Sequence, residues 1–211
     1  MLKIVIAFVI GIILFGCVSR GGMDAVPLLW KPTVEPKKYW HPDLTKLQLS
    51  VGGFRDMRAD KSLIGMNFQD PHDVKKVKTG DDVGKWVSLM TKKTMVDYGI
   101  STLDSSNLVM TGDIVEFMVQ EGEDYKANVN IEFRITGRSG NELWTGMVNG
   151  SSTRFGRSFN IENYYESLSD AVIDAVGRLV EGTDMVKTLV ARVNNDGLSN
   201  NKKHPKRSTK R

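Results

Sequence analysis

The chain of 211 residues carries 29 Lys and Arg against 25 Asp and Glu, a formal net charge of +4, with 40% hydrophobic residues and a single cysteine. One cysteine excludes a disulfide framework and a cysteine metal site, so stability has to come from a packed core. The positive charge belongs to the ends: residues 197 to 211 hold six cations and no acid, and without these and Lys3 the rest counts 22 basic against 25 acidic residues, a net of −3.

In chain order, Met1, Leu2 and the cation Lys3 precede an apolar run that ends at Gly16, directly before Cys17. This is the layout of a signal peptide. The run is shorter than the roughly 20 residues a helix needs to cross a bilayer, and no basic stop-transfer cluster follows. Leu14-Phe15-Gly16-Cys17 resembles a bacterial lipobox, although Phe15 is a less usual residue there. The resemblance implies cleavage before Cys17, diacylation of its sulfur and acylation of the new amino terminus. Such chains, at about 0.8 kcal/mol per buried methylene, hold a protein to a membrane without a spanning segment. An ordinary secretory signal with a leftover cysteine is the other reading. Val18, not Asp, follows the cysteine, which in the sorting pattern of Gram-negative lipoproteins points to the outer membrane, on its periplasmic face.

Four of the six prolines, Pro27, Pro32, Pro36 and Pro42, fall between residues 18 and 46. Proline removes donors and favours extended backbone, so residues 17–46 read as the lipidated cysteine and a tether. Trp30, Tyr39 and Trp40 have little use in a fully solvated linker, which leaves room for partial docking. The body begins at "LQLSVGGF", where Leu47, Leu49 and Val51 alternate with polar residues as in a half-buried strand, and "RDMRADKSLIG" follows as a loop.

Asp82 is placed to cap a helix that runs to Tyr98 and stops at Gly99. Val83, Trp86, Val87, Met90 and Tyr98 share one face. Leu89 and Val96 lie outside it, seven residues apart, and are expected as a second packed ridge, with a dimer seam as the alternative. A three-strand meander comes next. "LVMTGDIVEFMVQ" turns at "GED" into "YKANVNIEFRIT", whose Ala127, Val129, Ile131, Phe133 and Ile135 alternate with polar residues. That alternation marks antiparallel strands with one buried and one wet face. "GRSGN" supplies a hairpin turn to the return strand "ELWTGMVNGSS". In the last long element Ile161, Tyr165, Leu168, Val172, Ala175 and Leu179 recur at helical spacing, with Glu162, Glu166, Asp170 and Asp174 pointing away. Thr183 is placed to cap a short final helix containing Val186, Leu189, Val190 and Val193, and order is expected to end at Asn194.

The expected organisation is therefore a signal peptide (1–16), a lipidated tether (17–46), one domain (47–193) and a disordered basic tail (194–211). The order strand, helix, three strands, helix predicts an α+β fold, a mainly antiparallel four-stranded sheet with two long helices on one face.

Catalysis has little to build on. His41, His72 and His204 fall in the tether, a loop and the tail, with no metal-ligand spacing, and Asp70-Pro71-His72-Asp73 reads as a turn. There is no phosphate loop and no nucleophile elbow. Glu121, Glu123 and Asp124 read as solvated turn carboxylates. No enzyme, cofactor or metal site is expected. The tail cations Lys202, Lys203, Lys206, Arg207, Lys210 and Arg211 suit anionic lipid head groups or acidic cell-wall polymers better than nucleic acid, of which a lipoprotein beyond the inner membrane meets little; a solvated end is the plainer account.

Residues 47 to about 190 resemble the YajG family of bacterial lipoproteins, through Cys17, Asp56-x-Arg58 with Gly65, the helix closing on "DYGI", the meander and the helix "LSDAVIDAV". The basic tail and the longer tether depart from that pattern. The resemblance implies an envelope lipoprotein with no catalytic residues to carry over. Asp56 and Arg58 are the candidate loop interaction site, or a local hydrogen-bonded staple. Two functions follow: a lipoprotein binding a partner protein in the periplasm, or an accessory of a lipid or glycan transport or cell-wall assembly machine. The first needs an apolar patch or open sheet edge, the second a concave groove.

Overall fold

The computed structural model describes residues 22–36, 43–182 and 184–192. After a short turn of helix at Leu44–Lys46 the elements are β1 (Gln48–Asp56), β2 (Leu63–Asn67), β3 (Lys75–Lys78), α1 (Val83–Asp97), β4 (Ser101–Thr102), β5 (Val109–Glu121), β6 (Tyr125–Thr136), β7 (Glu142–Arg154) and α2 (Ile161–Gly182). A last helix, α3, covers 185–192.

The fold is α+β, and the expected sheet needs correction: it has seven strands and is mixed. The long strand β5 is its axis. One edge of β5 pairs antiparallel with β6, which pairs antiparallel with β7. The other edge is shared, its first part paired in parallel with β1 and its last part in parallel with β2. β4 extends the sheet beyond β1, and β3 beyond β2. The stretch read as a loop thus enters the sheet as β2, because three of its backbone positions find open partners on β5. The picture of two long helices also changes: α1 has 15 residues, α2 has 22, and the apolar residues of α3 join the same core.

Asp82 caps α1 by accepting the Lys85 N–H at 2.9 Å, and Gly99, at φ +86°, ends it in the left-handed conformation that glycine adopts without a Cβ penalty. Val83, Trp86 and Val87 are buried, and Trp86 meets Phe117 of β5 edge-on at 5.7 Å. Leu89 and Val96 are about half exposed, so among the described residues they form no second packed ridge. In β6 the five alternating apolar residues are buried to 1% exposure or less. Its other face is knitted across the sheet by Asn149 to Asn130 (2.7 Å) and Asn130 to Glu116 (2.6 Å). On the same wet face the Arg55 guanidinium beside Asp113 holds that carboxyl below the usual carboxylate range. Arg55 is mostly exposed, so the pair adds little to stability.

α2 crosses β7 at Gly150, where a Cβ would lie 2.5 Å from the Ala175 nitrogen. This approach lets Leu168, Val172, Ala175 and Leu179 sink completely into the core. Val186, Leu189 and Val190 of α3 are buried as expected and Met185 joins them, while Thr183 and Val193 lie outside the described residues.

Candidate functional site

Of the residues singled out in the sequence, Cys17, His41, His204 and the six tail cations lie outside the described residues. His72 sits on an exposed turn, its N–H bonded to Asp70 Oδ1 at 2.9 Å. Among the described residues no group of His, Cys, Asp and Glu converges as a metal site.

Asp56 and Arg58 stand where β1 leaves β5 and β2 has not yet joined it. There the Phe117 carbonyl has no strand partner, and Arg58 supplies one: Nη1 donates to Phe117 O (3.0 Å) and Leu63 O (2.6 Å). Nη2 donates to Lys61 O and Asp56 Oδ2, both at 2.7 Å, and Nε to Asp56 Oδ1 at 2.9 Å. All five N–H groups of the guanidinium are spent inside the chain. The side chains are 7% and 10% exposed, and Arg58 also lies over the Phe117 ring. The pair splices two half-ladders into one sheet. Beside it a cavity of about 520 Å³ offers Met57 and Lys61 as the outward groups of this loop.

Residues 22–36, inside the stretch read as tether, run along the body as a strap. Met23 bridges Val77 in parallel, donating to Lys76 O at 3.0 Å and accepting from Lys78 N at 2.7 Å. Val26 and Leu28 are buried, and Trp30 packs on Trp86 at 5.9 Å. The strap then crosses α2 on the acidic stripe expected to face water. Thr33 donates through N–H (2.7 Å) and Oγ1 (2.5 Å) to Asp170, and Lys31 reaches Glu162 (3.0 Å) and Glu166 (2.9 Å). Arg154 also pairs with Glu166. The outward reading of that stripe is therefore corrected: Glu166 and Asp170 are 6% and 5% exposed, because the strap and β7 cover them. Hydrogen bonds to Glu166 and Glu162 raise the Lys31 pKa, and the bond to Lys31 lowers that of Glu162. We expect Asp170→Ala to free the strap without unfolding the body. Hydrogen exchange should lose protection at the Thr33 and Val34 amides while β5 and β6 stay protected; uniform loss would mean the strap is not a separable unit.

Between strap, α2 and β7 lies a groove of about 760 Å³. Glu35, Asp174, Arg178 and Glu181 give it charge, and Ser151 to Arg154 of β7 form one wall. Among the described residues β7 pairs with β6 alone, and none of them pairs with its other edge here. The Ser151 N–H points out of the sheet to Asp174 (2.8 Å), and by strand alternation Thr153 presents its backbone in the same direction.

Glu121 was missed as a buried group. It is fully buried, receiving the N–H of Phe159 at 2.5 Å, the Ser158 hydroxyl at 3.1 Å and the Tyr164 hydroxyl. Burial and then the Glu121 hydrogen bond push the Tyr164 pKa well up, so its proton stays in place. These bonds hold the loop 155–160 down on the sheet end, with Phe159 at φ +53°. The odd position of Glu121 at the end of an alternating strand, on the inward side with Phe117 and Val119, was the one signal available.

No family model matches the chain, and no curated protein matches it. Among solved structures it is similar to a DUF330 protein of Xanthomonas campestris, at TM-score 0.48 and 10% identity over 83% of this chain and 96% of that one. A PelC dodecamer subunit of Paraburkholderia phytofirmans gives 0.40 and 14%, over 63% and 85%. A minor lipoprotein of Acinetobacter baumannii gives 0.35 and 14%, over 79% and 95%. Its structural neighbours thus include bacterial lipoproteins.

Proposed function

We propose that this chain is a non-enzymatic, YajG-like lipoprotein, held on the periplasmic face of the outer membrane by acylated Cys17, whose body binds a segment of a partner protein. The observation that carries the partner reading is the edge of β7 left unpaired by the described residues, lying in a groove of about 760 Å³. An extended segment added there would take its main-chain hydrogen bonds from β7 and its specificity from the charged walls. The six tail cations would contact anionic head groups or acidic wall polymer close to the same membrane.

The polar lining of the groove also suits the second reading, an accessory of a lipid or glycan machine, since carboxylates and arginines can bond sugar hydroxyls. A photocrosslinking residue at Thr153 in the native lipidated protein separates them. A reproducible envelope protein is expected, and glycan or lipid alone would move the assignment to the accessory. Cys17→Ser should release the protein from the membrane fraction unprocessed by acylation; a variant still in that fraction at the normal mature mass would sink the anchor.

A further inference from the structure

One end of the body gathers apolar side chains that the groove does not use. The register carries a single line across five strand ends: Lys75 opposite Asn67, Asn67 opposite Glu121, Glu121 opposite Tyr125 and Tyr125 opposite Arg154. The loops that leave this line, with the first residue of α2, expose Phe68 (42%), Val74 (41%), Ile161 (41%) and Phe155, which at 83% is the most exposed large hydrophobic residue described. Solvent gives no reason to hold a phenylalanine in this way.

The same end receives the anchor. Met23 pairs in parallel with Val77, so the chain preceding Gly22 enters from the Lys75 side. Four residues, Val18 to Gly21, lie between Cys17 and Gly22, so the two are at most about 18 Å apart whatever the conformation between them. The five strand ends extend about 19 Å at the ordinary strand spacing. Acylated Cys17 would therefore bring this end, and no other, against the lipid.

The loop bearing Phe155 is also held firmly. Beyond the bond from Phe159 to Glu121, the Tyr125 hydroxyl donates to Arg157 O (2.6 Å) and accepts from Asn160 N–H (3.1 Å), and Asn163 Nδ2 donates to Arg157 O (3.0 Å). A buried carboxylate and two buried tyrosines thus fix a loop whose outward product is an exposed aromatic ring.

We propose that this end, with Phe155 foremost at the β7 side and Phe68, Val74 and Ile161 spread along the same row of loops, seats in the interface of the leaflet that holds the Cys17 lipid, fixing the orientation of the body on the membrane. The proposal rests on the lipoprotein reading above. Lys75, Lys76 and Arg157 share the surface with Asp70, Asp73, Glu123 and Asp124, so insertion of apolar side chains, not net charge, is the binding force. Phenylalanine and the other large apolar groups suit that depth.

The full acylated chain, reconstituted in phosphatidylcholine vesicles containing a lipid-borne quencher, tests this. Intact mass is read first. A fluorophore on Phe155→Cys is compared with one on Ser139→Cys, in the β6–β7 turn roughly 37 Å away along β6. We expect quenching several times stronger at 155, unchanged by high salt. A second variant, with the label on Phe68→Cys and Phe155→Ser added, should show weakened quenching at the same acylated mass. A mature chain without acyl groups overturns both the anchor and the docking. An acylated chain quenched equally at 155 and 139, quenching abolished by salt, or an in-cell crosslink from 155 to a protein instead of lipid overturns the docking alone.

Discussion

Replacing Arg58 by alanine should cost about 3–5 kcal/mol of folding stability, the range for removing one partner of a buried ion pair. The change does more than delete a charge. It leaves the Asp56 carboxylate in a site only 10% exposed and takes the donors from the Leu63, Phe117 and Lys61 carbonyls. Water reaches this junction poorly, so each orphaned acceptor adds its desolvation cost. Arg58→Lys should recover only part of the loss, because an ammonium cannot span the same fork. Urea unfolding with the double variant Asp56→Ala, Arg58→Ala completes the cycle: its loss should fall well short of the sum of the single losses. A loss below about 1 kcal/mol for Arg58→Ala would place the pair among ordinary surface bridges and return it to the list of ligand contacts.

Gly150→Val is the second large effect, expected at about 3 kcal/mol, at the upper end of overpacking costs. The added Cβ would lie 2.5 Å from the Ala175 nitrogen and 2.6 Å from the Ala175 Cβ, and would also meet the Ala171 carbonyl. These are helix backbone positions and cannot rotate away. α2 would have to lift, drawing Leu168, Val172 and Leu179 off the sheet. Gly53→Ala is the matched control, since a Cβ there meets nothing within 4 Å, and it should stay within about 0.5 kcal/mol of the parent. Thermal and urea unfolding of the two variants read the difference directly, and equal losses would mean that helix and strand are not in tight contact.

The parts of the fold legible in the sequence were those whose burial repeats locally. β6 alternates over ten residues and α2 keeps one apolar face through six turns, so each announces its own partner surface. β2 and β3 do not: "LIGMN" and "KKVK" are too short to show a period, and they exist because β5 leaves part of an edge open. The parallel entry of β1 beside β5 depends on contacts nearly sixty residues apart, as between Arg55 and Asp113. The strap was hidden for the same reason. Thr33 and Asp170 are 137 residues apart, and an acidic helix face looks alike whether water or a lysine covers it. Glu121 was read from its charge and its neighbours in the turn, while its burial is imposed by a loop that comes 38 residues later.

The strap also sets a distance. While residues 22–36 lie on the body, only the four residues between Cys17 and Gly22 would separate it from an acylated Cys17, a leash of at most about 18 Å. Its seat is the backbone bridge of Met23 to β3, the burial of Val26 and Leu28 in the core, the packing of Trp30 on Trp86, and the bonds of Thr33 and Lys31 to α2. Peeled away, those fifteen residues would add about 50 Å of extended chain. A lipid on Cys17, as proposed above, would then hold the body at two working heights above the bilayer, and a competitor for the acidic face of α2 would choose between them.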